Sequence, residues 1–126
     1  MRIVVNASAL AHGIAADEIR AVITYSLLRY RISSRIYPDA INTMFIGRID
    51  NEPYIEVAAE NISNDEWEVF HAMLLTKAIA QEVYDLSHGE YDLRGEVTDF
   101  QRPYIGPQYG RTEQLCLSVR HATTKP

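Results

Sequence analysis

The chain predicts an α+β domain, a small antiparallel β-sheet with helices packed on one face, and three observations carry that reading. A β-branched run opens it, a stretch of helical apolar spacing follows, and a pair of strand-like runs flanks a turn-rich joint. At 126 residues, with 47% hydrophobic and 23% charged residues, the chain is the size of one domain that buries a core without staples. A core domain is expected over 1–86 and a C-terminal extension over 87–126.

The first element is "RIVV" (2–5), too short and too β-branched for a helix, and it reads as a core strand. Ser8 is placed to cap a helical turn that ends at Gly13. From Ala15 to Leu28, Ile19, Val22, Ile23 and Leu27 recur at helical spacing, with Asp17 and Glu18 in the first turn, where the helix dipole favours anions. Residues 29–40, "RYRISSRIYPDA", read as a connection with a brief extended piece. "INTMFIGRI" and "YIEVAAEN", joined by "DNEP", form a β-hairpin.

Two local rules conflict after that hairpin. Ser63-Asn64-Asp65-Glu66 matches a capping box that would start one long helix to Leu86, whereas "WEVFHAMLL" suits a buried strand handing over to a helix at "TKAIAQEVYDL". Strand then helix is the expectation, because a hairpin with one further strand needs more partners to be stable. Residues 87–114 hold four of the six glycines and two of the five prolines, and are expected to wrap the surface or stay mobile. "QLCLSVR" then alternates Leu115, Leu117 and Val119 with polar neighbours, the pattern of an edge strand over 114–120 that could pair within the chain or with a partner.

Charge and motif content exclude several function classes. The net charge is -5, which disfavours a general nucleic-acid binder, but it is polarised: +2 over residues 1–50, -10 over 51–100 and +3 over 101–126. No phosphate loop, dinucleotide turn or nucleophile elbow is present, and the four histidines (12, 71, 88, 121) never fall three or four apart. No cofactor and no metal are therefore expected. A single cysteine, Cys116, rules out a disulfide within the chain and fits a reducing compartment. With no charged segment and long apolar stretch at the N-terminus and no membrane span, the expected location is the cytoplasm.

What remains for chemistry is Arg, His and Tyr. Arg29, Tyr30, Arg31 and Arg35 lie in one connection, Arg48 on the hairpin and His71 in the next element. Metal-free cleavage of RNA needs a base for the 2'-hydroxyl, cations for the phosphate and an acid for the departing oxygen, and these side chains can fill those roles. The plain alternative has the arginines solvated or paired with acids, the tyrosines packing, and His71 a hydrogen-bonded core residue.

The order of elements resembles the small toxins of the RelE/ParE superfamily, and "AHGIAADEI" is similar to the Lys-His-Gly-Val/Ile motif before a helix in BrnT-like toxins. "FIGRIDNEPYIEV" likewise looks like that group's Gly-Arg hairpin, so the resemblance spans about residues 1–86. It implies the toxin of a type II toxin-antitoxin pair, a ribonuclease acting on mRNA with or without the ribosome and silenced by a cognate antitoxin. Carried over by position, His12 is the motif histidine, Arg48 the hairpin arginine, and His71 stands in the last core strand. The expected catalytic set is then His71, Arg48 and His12, with Arg29, Tyr30, Arg31 and Arg35 on RNA. Ala11 in place of the usual Lys, "VFHAML" in place of an Arg-bearing strand, and the acidic balance depart from the pattern. The expected partners are RNA and the antitoxin, with homo- or hetero-oligomers formed and no membrane. The rival expectation is a non-catalytic factor of a phage or mobile element that binds another protein through its acidic face, residues 52–99.

Overall fold

A computed structural model describes residues 1–33 and 41–111. The elements run β1 (Arg2–Val5), a 3-10 turn (Ala7–Leu10), α1 (Ala16–Thr24), β2 (Leu28–Ile32), β3 (Asn42–Gly47), β4 (Ile55–Ser63), β5 (Glu66–Leu74), α2 (Lys77–Leu86) and a second 3-10 turn (Arg94–Glu96). The α+β class is the observed one. Arg35 and the strand expected at 114–120 lie outside the described residues.

The five strands form one sheet in the order β1-β5-β4-β3-β2. Strands β2 to β5 make an antiparallel meander, and β1 joins its far side parallel to β5, with Ile3 opposite Trp67 and Val5 opposite Val69. The sheet is thus mixed where an antiparallel one was expected. After β1 the chain crosses the sheet as α1 and returns through four successive antiparallel strands, so it comes back beside its own start.

The helices do not share a face, and this corrects the one-sided packing expected above. α1 lays Ile19, Val22 and Ile23 on Phe45, Val57, Ala59 and Val69, while Ala80 and Val83 of α2 pack with Met44, Ile46 and Ala58 on the opposite side. The reason is readable in β3 and β4, which are buried on both faces over Asn42–Gly47 and Ile55–Ala59. A strand apolar on both pleat faces needs cover on both, since each buried large aliphatic or aromatic side chain contributes roughly 1.5–3 kcal/mol.

The capping-box reading of Ser63–Glu66 loses to the strand. Asn64 and Asp65 form a two-residue turn, with Asp65 at φ 65°, and Glu66 pairs at once with Ser63 and Arg2. β1 supplies the extra partner that makes β5 a central strand. Trp67 then packs edge-on against Phe45, ring centroids 5.2 Å apart. The helix expected over 15–28 stops at Thr24, because Leu27 N–H already bonds Ile46 O at 2.8 Å and pulls the chain into β2. Among the described residues no helix is long and apolar enough to cross a membrane.

Candidate functional site

The site grows from a charged residue in the middle of a buried strand. Glu56 sits in β4 with its side chain 3% exposed, a position tolerable for a carboxylate only with donors around it. It has three: Oε1 accepts from the Thr76 N–H and the Thr76 hydroxyl, both at 2.7 Å, and Oε2 is 2.8 Å from His71 Nε2. Thr76 is the N-cap of α2, its Oγ1 accepting from Ile79 N–H at 3.4 Å, so its hydroxyl proton is free to go to Glu56. One carboxylate therefore ties β4, β5 and the start of α2 together.

His71 reaches that carboxylate by register: it pairs with Ala58, two residues from Glu56 along β4, and so shares the face of Glu56. Beyond it Ala59 pairs with Val69, so Phe70 is an extra residue in β5, a bulge that returns Val69 to the α1 face. Since an ionised carboxylate only accepts hydrogen bonds, Nε2 carries the proton and the Nδ1 lone pair of the neutral ring is left available. The side chain is 30% exposed.

His12 meets His71 across 59 residues of sequence: the ring centroids are 6.2 Å apart and tilted by 60°. β1 ends at Val5, and beyond it the 3-10 turn runs along the uncovered edge of β5, with Asn6 N–H bonded to Val69 O at 3.0 Å and Ser8 Oγ to Phe70 O at 3.0 Å. That seating carries the exposed His12 to the edge where His71 emerges. Gly13 follows at φ +79°, a backbone conformation few other residues adopt.

The arginines expected to join these histidines go elsewhere. Arg48 lies over the Tyr54 ring at 4.7 Å, in a hollow lined by Tyr25, Leu27, Gly47, Asp50 and Tyr54 that includes neither histidine. Arg29 points to the α1 side, where it stacks over Phe45 at 4.9 Å and donates to Ile23 O at 3.2 Å and Ser26 Oγ at 3.3 Å, closing the C-terminal end of α1. Arg31 follows it by alternation and is exposed. Tyr30 faces the other way, under α2, and its hydroxyl donates to Glu82 at 2.7 Å; burial first and the Glu82 carboxylate second push its pKa up. The strand pleat thus splits a cluster that looks continuous in sequence, and no shared cationic cleft forms from Arg29, Arg31 and Arg48.

A second buried carboxylate escaped sequence reading. Glu18 in α1 is fully buried and takes Arg102 at 2.6 and 3.0 Å, Arg111 at 2.8 Å and the Ala15 N–H at 3.1 Å. The segment bearing both arginines straps the start of α1: Gln108 O and Tyr109 O accept from Ala16 and Asp17 N–H at 2.8 and 3.0 Å, doing what the Ala15 side chain cannot. The strap passes so close that a Cβ on Gly13 would lie 2.9 Å from Arg102 Cβ. Gln101 also closes on β5, its amide bonding Leu74 N–H and O, both at 2.9 Å. Over the described residues 87–111 the extension wraps the core, one of the two behaviours expected of it.

Thr76 before "KAIAQEVYDL" and the lone acid of "YIEVAA" were signals that could have exposed the Glu56 centre. Nothing local marks the Glu18 pairing, whose partners lie 84 and 93 residues away. Among the described residues no group of three His, Cys, Asp or Glu is disposed to hold a metal ion. Compared with protein-family models, curated proteins and solved structures, the chain matches none.

Proposed function

We propose that the chain is a metal-independent ribonuclease, the toxin of a toxin-antitoxin pair, working through His71 and His12. The observation that carries the reading is the meeting of two imidazoles, one anchored on a buried carboxylate, at a partly open sheet edge. In the reaction His71 Nδ1 takes the 2'-hydroxyl proton, the 2'-oxygen bonds to phosphorus and the bond to the 5'-oxygen breaks. His12, entering as imidazolium, gives its proton to that leaving oxygen, and a 2',3'-cyclic phosphate results. Glu56 holds the His71 ring in place and stabilises the imidazolium as it forms, and each acid–base partner is worth about 10²–10⁴ in rate.

The test is incubation of the purified chain with a single-stranded RNA in excess chelator, with the ends of the products mapped. Cyclic phosphate ends, and a loss of about a hundredfold or more in His71→Ala and in His12→Ala, support the reading. Full cleavage by both variants sinks it. Growth arrest on expression without a partner, relieved by the same substitutions, is the matching result in cells.

One observation favours the rival reading of a protein-binding factor: no arginine among 29, 31 and 48 stands at the histidines, while α2 and the segment after it expose Asp85, Glu90, Glu96 and Asp99. A chain of that kind arrests nothing and cuts no RNA by itself.

A further inference from the structure

Within the described residues the sheet ends, on one side, in a strand with an open outer edge. There β2 pairs with β3 alone, and no further backbone hydrogen bond reaches Leu28–Ile32. Such an edge offers a row of unpaired N–H and C=O groups to another extended chain. One flank of it is apolar. Leu28, Tyr30 and Ile32 lie half-buried on the α2 side, and a hollow of about 170 Å³ opens there between Leu28, Tyr30, Val83, Leu86 and Tyr91. A cavity of about that size admits a benzene-sized group. Around it Leu86 is 59% exposed and Leu27, just ahead of β2, is 46% exposed, so apolar surface gathers along this edge.

The opposite flank carries charge. Arg29 and Arg31 both face the α1 side, and among the described residues neither has a carboxylate partner, whereas Arg2, Arg94, Arg102 and Arg111 are all ion-paired. Two cations left unpaired in a chain of net charge -5, at successive same-face positions of an open strand, call for an anionic partner. A second copy does not meet that demand: β2 set antiparallel on β2 puts Arg29 opposite Arg31, and like charges directly opposite destabilise. On the α2 flank Glu82 already stands at the Tyr30 hydroxyl, so an incoming acid belongs only on the arginine side.

We propose that the β2 edge takes up, as a sixth strand, an extended segment of a partner protein in which acidic residues alternate with apolar ones. Its acids pair with Arg29 and Arg31, and its apolar residues extend the row of Leu28, Tyr30 and Ile32, one of them entering the hollow. Ladder hydrogen bonds supply the affinity and the alternation supplies the specificity. The edge lies three strands from His71, so capture and cleavage are separable.

The probe is a fluorescein-labelled peptide whose central residues alternate valine and glutamate, titrated with the full chain by fluorescence anisotropy; its counterpart carries lysine for glutamate. The glutamate peptide should bind at least about fivefold more tightly, since an opposite-charge cross-strand pair is worth up to about fivefold by itself. Arg31→Glu should reverse that order, and Arg20→Glu, the same change of charge at an exposed position of α1, should leave it alone. Leu86→Asp, which sets a charge against the hollow, should weaken binding about fivefold or more. On binding, amide exchange should slow in β2 and stay unchanged in β1. Trp67 fluorescence reports that each variant is folded.

Failure of the full chain to bind the glutamate peptide overturns the proposal, the edge then being filled by residues 114–120 or by a second copy. Equal affinity for the two peptides, an unaltered preference in Arg31→Glu, an equal loss in Arg20→Glu, or protection of β1 in place of β2 overturns it as well. Peptide binding without histidine-dependent cleavage sinks only the nuclease reading. Cleavage without peptide binding sinks only the strand site.

Discussion

Removing Arg102 should destabilise the domain severely, because it strips a fully buried carboxylate of its main partner. Glu18 receives four hydrogen bonds, two of them from the Arg102 guanidinium at 2.6 and 3.0 Å, and Arg102 is itself only 16% exposed. Breaking a buried ion pair from one side costs about 3–5 kcal/mol, since the surviving charge stays desolvated. Arg111 remains on Oε2, which places Arg102→Ala near the lower end, about 3 kcal/mol. For a domain of this size that lowers Tm by roughly 10 °C. Urea denaturation followed by Trp67 fluorescence and circular dichroism reads the loss. A second variant isolates the cause: Glu18→Met combined with Arg102→Ala removes the stranded charge and should recover at least half the stability. A loss under about 0.5 kcal/mol, or a double variant weaker than the single one, refutes the argument.

The other predictions concern separate features. Gly13→Ala meets both a left-handed φ and a 2.9 Å approach to Arg102, and should cost roughly 1–3 kcal/mol while raising amide exchange at Ala16 and Asp17, whose N–H groups the strap caps. Tyr30 has a raised pKa, so the folded state holds its proton where the unfolded chain releases it. Its stability is therefore complete below pH 10 and falls above it by up to about 1.4 kcal/mol per pH unit, a slope that Tyr30→Phe should flatten in alkaline denaturation. The Arg94 side chain lowers the exposed Asp92 carboxyl to about 2, so whatever that pair contributes is present above the ordinary value of 3.8 and lost as pH falls through 2. Arg94→Gln should raise the NMR titration midpoint of Asp92 part of the way back, because the residue-94 N–H still donates to the carboxylate at 3.2 Å. In neutral His71, nitrogen-15 shifts should report a protonated Nε2 and a bare Nδ1, and Glu56→Ala should mix the two tautomers; a protonated Nδ1 in the wild type contradicts the derived hydrogen-bond network.

Local chemistry in the sequence was enough for the kind and order of most elements. β-Branched runs marked β1 and the β3–β4 hairpin and helical spacing marked α1, because side-chain direction repeats every two or 3.6 residues whatever the rest of the chain does, while β5 giving way to α2 followed from the hairpin's need for another strand. What those periods cannot carry is the partner on the far side. The parallel pairing of β1 with β5 and the placing of α1 and α2 on opposite faces depend on which surfaces meet once the meander closes. The same gap explains the site. His12 and His71 could be nominated from sequence, but the pairing of β4 with β5 sets His71 on the face of Glu56, and the pleat sends Arg29 away from Tyr30. Glu18 read as a first-turn acid favoured by the helix dipole and is fully buried, because two arginines more than eighty residues away arrive to meet it. Sequence determined each segment's own geometry; only tertiary structure decided which polar groups were buried together, since desolvation is a property of the assembled surroundings and of no single segment.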